Sequence, residues 1–264
     1  MDKAISQDGT PIAYDRIGHG PPIVLVVGAF NDRATGAPLA AALAAQFTAI
    51  TYDRRGRGDS GAAAAYAVER ELEDLGALID RAGGSASVFG FSSGAALALL
   101  AAARGLPIRR LALFELPLLA GPLGEQRARP GVDHASQLAA LVAAGRRGDA
   151  VEYFQRQVVG IPEAVVAQMR HAPFRPALEA MAHTLVYETT IIGDGRLASA
   201  TVRDVRVPVL AIAGGASFPF MRETAEVLAR DLPDGRALVL AEATHDLVPA
   251  QLTPVLTEFF GQTR

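Results

Sequence analysis

Apolar and polar positions alternate along this chain in blocks that predict a β-sheet with helices between its strands. Continuous apolar runs at 22–27, 47–52, 85–89 and 111–114 are typical of strands buried on both faces of a parallel sheet. The stretch 68–82 places apolar side chains on one face and charges on the other, which predicts an amphipathic helix. Because strands that alternate with helices require right-handed crossovers, the predicted fold class is α/β with a doubly wound, mostly parallel sheet.

Weaker patterns extend this sheet at both ends of the chain. A β-hairpin is predicted within residues 1–20, around a polar turn at 7–10. Two further strands are expected at 207–213 and 237–240, and three further helices at about 38–45, 221–230 and 254–260.

The pattern changes between residues 118 and 200, where no convincing strand is found and helical segments follow one another. Asp149, which comes after a glycine, is expected to cap one of these helices at its N-terminus. We therefore predict a core formed by residues 1–117 and 201–264, with residues 118–200 as a helical cap, called the insertion below. The helical segments are at 134–144, 149–159, 162–170 and 176–187.

Composition excludes several classes of function. The chain has 264 residues, 50% of them hydrophobic and 20% charged, and a net charge of −3, so no surface for nucleic acid or an anionic membrane is predicted. The absence of cysteine excludes disulfides, a thiol nucleophile and thiolate metal sites. The N-terminus has no apolar signal segment and no stretch approaches ~18 apolar residues, so we expect a cytoplasmic protein without a membrane span.

An arginine-rich loop at 53–61 follows the second buried strand. Its basic residues could be taken for a phosphate or nucleic-acid site. Asp53 and Asp59 flank the arginines, and no aromatic residues alternate with them to stack on bases. We therefore predict a loop that is braced by ion pairs within itself.

The chemistry of this chain centres on the sequence Gly-Phe-Ser-Ser-Gly at 90–94, a G-x-S-x-G motif between an apolar strand and an Ala/Leu-rich helix. In that strand–turn–helix context the central residue, Ser92, is exposed at the top of a tight turn and is a candidate nucleophile. The alternative is a serine in an ordinary glycine-rich turn.

A serine hydroxyl needs a base to accept its proton. Of the five histidines, only His245 follows a predicted sheet strand at the edge where Ser92 must also lie. The other four lie in the N-terminal hairpin region or in the insertion. His245 is therefore the candidate base, and the alternative is a polar loop residue.

The acid that would orient this base is less well defined. The loop after the strand at 207–213 holds no carboxylate. Asp204 lies at the wrong end of that strand, and Asp246 is too close in sequence to reach back to the imidazole. Glu115 directly follows the strand at 111–114, at the correct edge, and is favoured over Asp194 and the others; its alternative role is to cap loop amides.

Two backbone N–H groups are needed to stabilise an oxyanion. Ser93, the residue after the nucleophile, should supply one, and Ala29 the other, with Gly28 shaping the turn. No histidine pair has metal-ligand spacing and no G-x-G-x-x-G motif is present, so no metal or other cofactor is predicted.

Together these segments resemble the α/β-hydrolase superfamily over nearly the whole chain. The chain is similar to small bacterial serine hydrolases with a helical cap between strands six and seven. It departs from them in having Val27 before the first glycine, where histidine is common, and in lacking an aspartate after strand seven. Its 114–117 segment, Phe-Glu-Leu-Pro, resembles the Ser–Glu–His variant of zearalenone-type lactonases. The residues that carry the superfamily resemblance are at 28–30, 53–61, 90–94 and 244–246.

The resemblance implies hydrolysis of an ester, lactone or thioester. An acyltransferase or perhydrolase, and a ligand receptor with an idle triad, are the alternative functions. We expect the insertion to roof the Ser92 cleft and a small, apolar, neutral substrate to bind there, since only Arg170 and Arg175 could receive an anion. The oligomeric state stays open, with a homodimer as one option. The residues expected to line the pocket are Phe30, Phe91, Phe154, Phe174, Met181, Tyr187 and Phe218.

Overall fold

The computed structural model describes residues 1–62, 65–129 and 131–262 and contains one eight-stranded sheet. The strand order is β1-β2-β4-β3-β5-β6-β7-β8, and every pairing from β4 to β8 is parallel. β2 is antiparallel to both of its neighbours, β1 and β4. The strands are β1 Asp2–Ile5, β2 Pro11–Ile17, β3 Pro22–Val26, β4 Thr48–Tyr52, β5 Ala86–Phe91, β6 Ile108–Phe114, β7 Val209–Gly214 and β8 Gly235–Leu240. The predicted fold class is confirmed.

The strand order reverses between β3 and β5. The chain passes from β3 to β4 in one direction and returns past β3 to form β5, so β3 pairs with both strands. In an open parallel sheet, this reversal leaves a crevice outside the carboxyl ends of the two strands. The Gly28 loop after β3 and Ser92 after β5 therefore lie on either side of the same crevice.

Helices cover both faces of the sheet. On one face α1 and α12 pack against an apolar cluster that includes Leu43, Phe89 and Leu256. On the other face α2, α3, α10 and α11 share a second apolar cluster. The helices are α1 Arg33–Leu43, α2 Val68–Arg81, α3 Ser93–Ala103, α4 Gly121–Arg127, α5 His134–Ala143, α6 Arg147–Tyr153, α7 Glu163–Met169, α8 Arg175–Ala180, α9 Leu185–Ile192, α10 Ser199–Asp204, α11 Pro219–Asp231 and α12 Pro249–Gly261.

Between β6 and β7 the described part of the insertion is helical and has an apolar cluster of its own. Leu138 on α5, Val151 on α6 and Leu185 on α9 belong to this cluster, and Ala29 and Phe30 of the core pack against it. The insertion therefore lies over the loop that follows β3. That residues 118–200 form a separate unit stays a prediction.

Proline positions account for the largest errors in the predicted helix starts. Helices were expected to begin near residue 38 and at residue 254, and both positions are prolines, a residue that is favoured in the first turn of a helix. Instead α1 begins five residues earlier, since the Asp32 carboxylate accepts hydrogen bonds from the N–H groups of Ala34 and Thr35. Pro38 and Pro254 both lie inside their helices.

The insertion also differs in detail from the prediction. Asp149 lies in the first turn of α6 rather than at its N-cap, which Arg146 occupies. The segment after α6 continues as a π-helix over Phe154–Val159. The single helix expected at 176–187 is divided into α8, a 3₁₀ turn at Ala182–Thr184 and α9. The short helices α4 and α10 had no sufficient sequence signal.

None of the helices in the described residues has the length and apolar character needed to cross a lipid bilayer.

Candidate active site

Ser92 lies at a sharp turn between β5, which ends at Phe91, and α3, which begins at Ser93. Its backbone has φ 55° and ψ −130°, a conformation that L-residues rarely adopt and that costs of order 1–3 kcal/mol. The Ser92 N–H donates to Phe114 O at 3.0 Å, and Ser92 O accepts from Ala95 N at 2.8 Å. These bonds hold the serine in the strained turn.

Glycine at 94 lets the start of α3 pass close to β3. A Cβ at this position would lie 2.3 Å from Val26 O and 2.8 Å from the carbonyl carbon of Val27, both backbone atoms. A Cβ on Gly90 would lie 2.6 Å from the Ala95 Cα. The two glycines of the motif are therefore required by close packing of backbone on backbone.

We expect Gly94→Ala to lower the thermal unfolding temperature sharply, by many degrees, or to prevent folding, because strand and helix must separate to admit the methyl group. Gly76→Ala is the matched control. It lies inside α2 with no atom within 4 Å of its added Cβ, so it should be neutral or stabilise by up to ~1 kcal/mol. Thermal unfolding followed by circular dichroism measures both, and equal stability of the two variants would contradict the close-packing argument.

His245 connects Ser92 to Glu115. Its Nε2 lies 3.1 Å from Ser92 Oγ, and its Nδ1 lies 2.9 Å from Glu115 Oε2. The histidine side chain is 34% exposed, whereas the Glu115 side chain is fully buried. The three residues come from the carboxyl ends of β5 and β6 and from the loop after β8. The arrangement can move a proton from the serine hydroxyl to the imidazole while the carboxylate holds the ring.

The Glu115 carboxylate receives two more hydrogen bonds from the loop after β7. Oε1 accepts from Gly214 N at 2.7 Å, and Oε2 accepts from the Ser217 hydroxyl. The Glu115 backbone has φ 57°, and its N–H donates to Ile212 O at 2.9 Å. Both oxygens of this buried carboxylate therefore have hydrogen-bond donors, as a buried polar group requires.

Ser217 and Gly214 were missed by the sequence reasoning, which considered the loop after β7 only as a source of an acid. The absence of a carboxylate from that loop was the available signal. A loop that supplies donors instead of an acid fits an acid that comes from the neighbouring strand, β6.

The other candidate acids have different partners. Asp194 accepts from Arg196 N at 3.0 Å in a turn of the insertion. Asp246 accepts from the Thr244 hydroxyl at 2.7 Å. Asp204 ends α10, before β7.

The loop after β3 lies against Ser92, and the Ala29 N–H of this loop already has a hydrogen-bond acceptor. The position of a Cβ on Gly28 would be 2.9 Å from the Ser92 Cβ, so glycine is needed for this approach. The N–H of Ala29 donates to Ser93 Oγ at 3.0 Å. The sequence predicted Ala29 and Ser93 together as oxyanion donors, but it gave no sign that the Ser93 side chain would bind the Ala29 amide.

The arginines at 54–57 do not pair within their own loop, so the prediction of an internally braced loop is wrong. Asp53 and Asp59 both pair with Arg33 on α1. Arg55 pairs with Asp74 on α2, with Nη2 2.7 Å from Oδ1, and also with Asp8. Each arginine therefore pairs with carboxylates outside its own loop, which lie on α2 and α9 and, for Asp8, in the turn between β1 and β2.

Arg54 and Arg57 share Glu188 of α9. Arg54 also forms two 2.7 Å bonds to Glu71 of α2, and all four side chains are at most 1% exposed. Burial, together with the adjacent charge of Arg54, lowers the pKa of Arg57. Two arginines and two carboxylates balance in charge, so this buried cluster is neutral overall and ties the insertion to the core.

Four of the predicted pocket residues are aromatic groups near the histidine or the Gly28 loop. The Phe91 ring lies 5.0 Å from the His245 ring, and Phe218 lies 6.4 Å from it in an edge arrangement. Phe30 meets Phe154 of the insertion edge to face at 5.6 Å. These contacts place apolar surface around the histidine and beneath the insertion.

The other three predicted pocket residues are placed differently. Phe174 does not fit the predicted enclosed pocket, because it is 49% exposed at the start of α8. Tyr187 stacks on Tyr66 at 3.9 Å, over the arginine loop. Met181 is half-buried at the end of α8.

The cations considered for an anionic substrate are already paired. Arg170 forms two bonds to Glu152, at 2.8 and 2.7 Å, and Arg175 pairs with Glu152 and Glu179. The sequence reasoning did not consider the cation of Arg127, whose guanidinium lies 4.8 Å from the Phe220 ring centroid.

Comparison with known proteins identifies close structural relatives. A sequence model described as "Alpha/beta hydrolase family" matches residues 23–255. An alpha/beta hydrolase from Sphaerobacter thermophilus DSM 20745 is 52% identical, with a TM-score of 0.91, over 98% of this chain and 100% of the other. A search of curated proteins gives no significant match.

Two more distant structures share the fold. An enol-lactonase from Burkholderia xenovorans LB400 is 24% identical with a TM-score of 0.70, over 98% of this chain and 100% of the other. A thermophilic esterase from Thermogutta terrifontis is 23% identical with a TM-score of 0.70, over 97% of this chain and 96% of the other. At these identities the likeness extends to the fold alone.

Proposed function

Since the chain belongs to the Alpha/beta hydrolase family, we propose that it is a serine hydrolase that cleaves a small, largely apolar carboxylic ester or lactone. The observation that carries this proposal is the position of His245, within hydrogen-bond distance of both Ser92 Oγ and Glu115 Oε2. Ser92 is the nucleophile, His245 the base and Glu115 the acid that orients the imidazole. The likeness of this Ser–Glu–His set to zearalenone-type lactonases stays a prediction.

In the first half of the reaction, Ser92 Oγ attacks the carbonyl carbon while His245 Nε2 accepts the hydroxyl proton. The carbonyl oxygen becomes an oxyanion, and the imidazolium is stabilised by the Glu115 carboxylate. Collapse of the tetrahedral intermediate breaks the bond to the leaving oxygen, which takes the proton from His245. The product is an acyl-enzyme on Ser92 and an alcohol; for a lactone the alcohol stays attached to the acyl group.

In the second half, His245 accepts a proton from water, and the resulting hydroxide attacks the acyl-enzyme. The second tetrahedral intermediate collapses with return of that proton to Ser92 Oγ, which releases the carboxylic acid. If an alcohol or peroxide replaces water, the same steps give acyl transfer or a peracid, so these alternatives differ only in the attacking group.

The oxyanion of both intermediates is assigned to two backbone donors, the N–H groups of Ser93 and Ala29. Ser93 is the first residue of α3, so the positive end of the helix dipole adds to the stabilisation of the oxyanion by the Ser93 N–H. The Ala29 N–H now donates to Ser93 Oγ. Either it exchanges this bond for one to the oxyanion, or the Ser93 hydroxyl keeps the bond and itself donates to the oxyanion.

An apolar substrate is favoured by the rings of Phe30, Phe91, Phe154 and Phe218 and by the pairing of Arg170 with Glu152. An esterase and an enol-lactonase with the same fold are consistent with an ester or lactone bond as the one cleaved. The insertion, which packs on Ala29 and Phe30, limits the size of what can enter.

The test is a series of 4-nitrophenyl esters from acetate upward, together with simple lactones. Each buried methylene contributes about 0.8 kcal/mol, so kcat/KM should rise roughly fourfold per carbon until the pocket is full. Ser92→Ala serves as the background control. A flat or falling series, or a preference for an anionic ester, would argue against the apolar pocket.

Labelling with a fluorophosphonate separates a hydrolase from a receptor with an idle triad. The reagent should phosphonylate Ser92 in the wild-type protein and fail to react with Ser92→Ala. A wild-type protein that binds apolar esters but is not labelled would favour the receptor.

A further inference from the structure

A line of hydrogen bonds runs from the insertion to the backbone beside the nucleophile. Glu188 on α9 accepts from Arg57 Nη2, and Arg57 Nη1 donates to Gly28 O at 2.6 Å. Gly28 O and the Ala29 N–H belong to one planar peptide unit, and that N–H donates to Ser93 Oγ. The guanidinium charge therefore acts directly on the amide assigned as an oxyanion donor.

A second carbonyl of the same loop fixes the orientation of this peptide. Arg57 Nη1 also donates to Asn31 O at 2.8 Å. The neighbouring Arg54 donates to Val27 O at 3.3 Å and to both oxygens of Glu188. Two arginines from one loop thus hold three carbonyls of the loop at 27–31, and a single carboxylate from the insertion holds both arginines.

A cation hydrogen-bonded to a carbonyl oxygen draws electron density from the amide and makes its N–H a stronger donor. Water does not screen this short-range effect, because the Arg57 and Glu188 side chains are both 0% exposed. The rigid, planar guanidinium also fixes where that N–H points, which decides how well it meets an oxyanion.

We propose that Arg57 is a positioning residue of the oxyanion hole, which acts through the Gly28–Ala29 peptide and is itself held by Glu188 of the insertion. The proposal rests on the function proposed above and adds a role for two residues outside the catalytic set. It links the position of the insertion to the strength of an oxyanion donor.

Stability alone does not explain the arrangement. Buried ion pairs are often no more stabilising than apolar side chains of similar size, so a cluster built only for stability has no need to donate to loop carbonyls. Arg55, in the same loop, can be compared with Arg57. It is equally buried and pairs with Asp74 and Asp8, but its other bond is to Arg70 O on α2 and not to the loop after β3.

The experiment compares two charge-balanced double variants, which lose one arginine and one carboxylate each. Arg57→Met with Glu188→Gln removes the bonds to Gly28 O and Asn31 O and leaves Arg54 paired with Glu71. Arg55→Met with Asp74→Asn is the matched control. Active enzyme is counted by fluorophosphonate titration, so that loss of folded protein does not enter kcat.

We expect the Arg57 and Glu188 double variant to lose about 10- to 100-fold in kcat with KM changed less than threefold. The upper limit only reaches the lower end of the ~10²–10³ lost when a donor is removed completely. Phosphonylation of Ser92, which forms a similar oxyanion, should slow by the same factor. The control should keep kcat within about twofold, and Arg57→Lys should keep part of the rate, since one of the two carbonyl bonds can be retained.

Three results would overturn the proposal: unchanged kcat in the Arg57 and Glu188 variant, a change in KM alone, or equal losses in both double variants. A measurement independent of turnover is the ¹H–¹⁵N resonance of Ala29, which should shift in this variant and stay in place in the control. A wild-type protein that is not labelled at Ser92 would refute the proposed function, whereas an unmoved Ala29 resonance would refute the action of Arg57.

Discussion

Ser92→Ala and His245→Ala are each expected to reduce kcat by on the order of 10⁶, and the double variant by little more than either alone. The losses of the two single variants do not combine in the double variant, because the hydroxyl and the imidazole act in one proton transfer. Removal of either group already abolishes that transfer. What remains is binding and the oxyanion donors, which retain a rate above that of the uncatalysed reaction.

The measurement is steady-state hydrolysis of the best ester in the series, with unfolding temperature as a check of the fold. His19→Ala, an exposed histidine in the hairpin region, is the control and should keep kcat within about twofold. Losses that multiply in the double variant would show that Ser92 and His245 act in separate steps and would refute the shared mechanism.

The sequence predicted the sheet well because each buried strand leaves a direct signal. Runs such as Pro22–Val26 are apolar throughout, which is typical of a strand that is buried on both faces of a sheet. Helix starts were predicted less well, since proline marks the first turn only on average and Pro38 and Pro254 lie inside helices. The cap at Asp32 was readable in principle, because aspartate accepts from the first free amides.

The arrangement of Ser92, His245 and Glu115 was anticipated because all three follow strands whose carboxyl ends share one edge. The directions of the side chains and the contacts between the insertion and the core were not anticipated. The sequence gives no means to place Glu188 beside Arg57, 131 positions away, because no strand pairing or periodicity relates α9 to that loop. The same limit applies to Ser217, whose bond to Glu115 spans 102 positions.

The surroundings of Glu115 also predict what an amide would do in its place. In Glu115→Gln, Gly214 N donates to the position of Oε1, so the side-chain oxygen must occupy that position. The NH₂ group then takes the place of Oε2 and faces Nδ1 of His245. An NH₂ group can only donate there, so Nδ1 must be the unprotonated nitrogen and the proton must sit on Nε2.

An imidazole with its proton on Nε2 cannot accept the proton of Ser92 Oγ, which is 3.1 Å away. We therefore expect Glu115→Gln to lose ~10⁴-fold in kcat, the loss seen when an aspartate is replaced by asparagine in a serine protease triad, with little change in KM. Asp246→Asn and Asp194→Asn are the matched controls, since both carboxylates bond to local groups and not to His245. Steady-state kinetics on the ester series decides the question: near wild-type rates for Glu115→Gln, with collapse of either control, would assign the acid to the other carboxylate, because only the residue that holds Nδ1 can impose the tautomer.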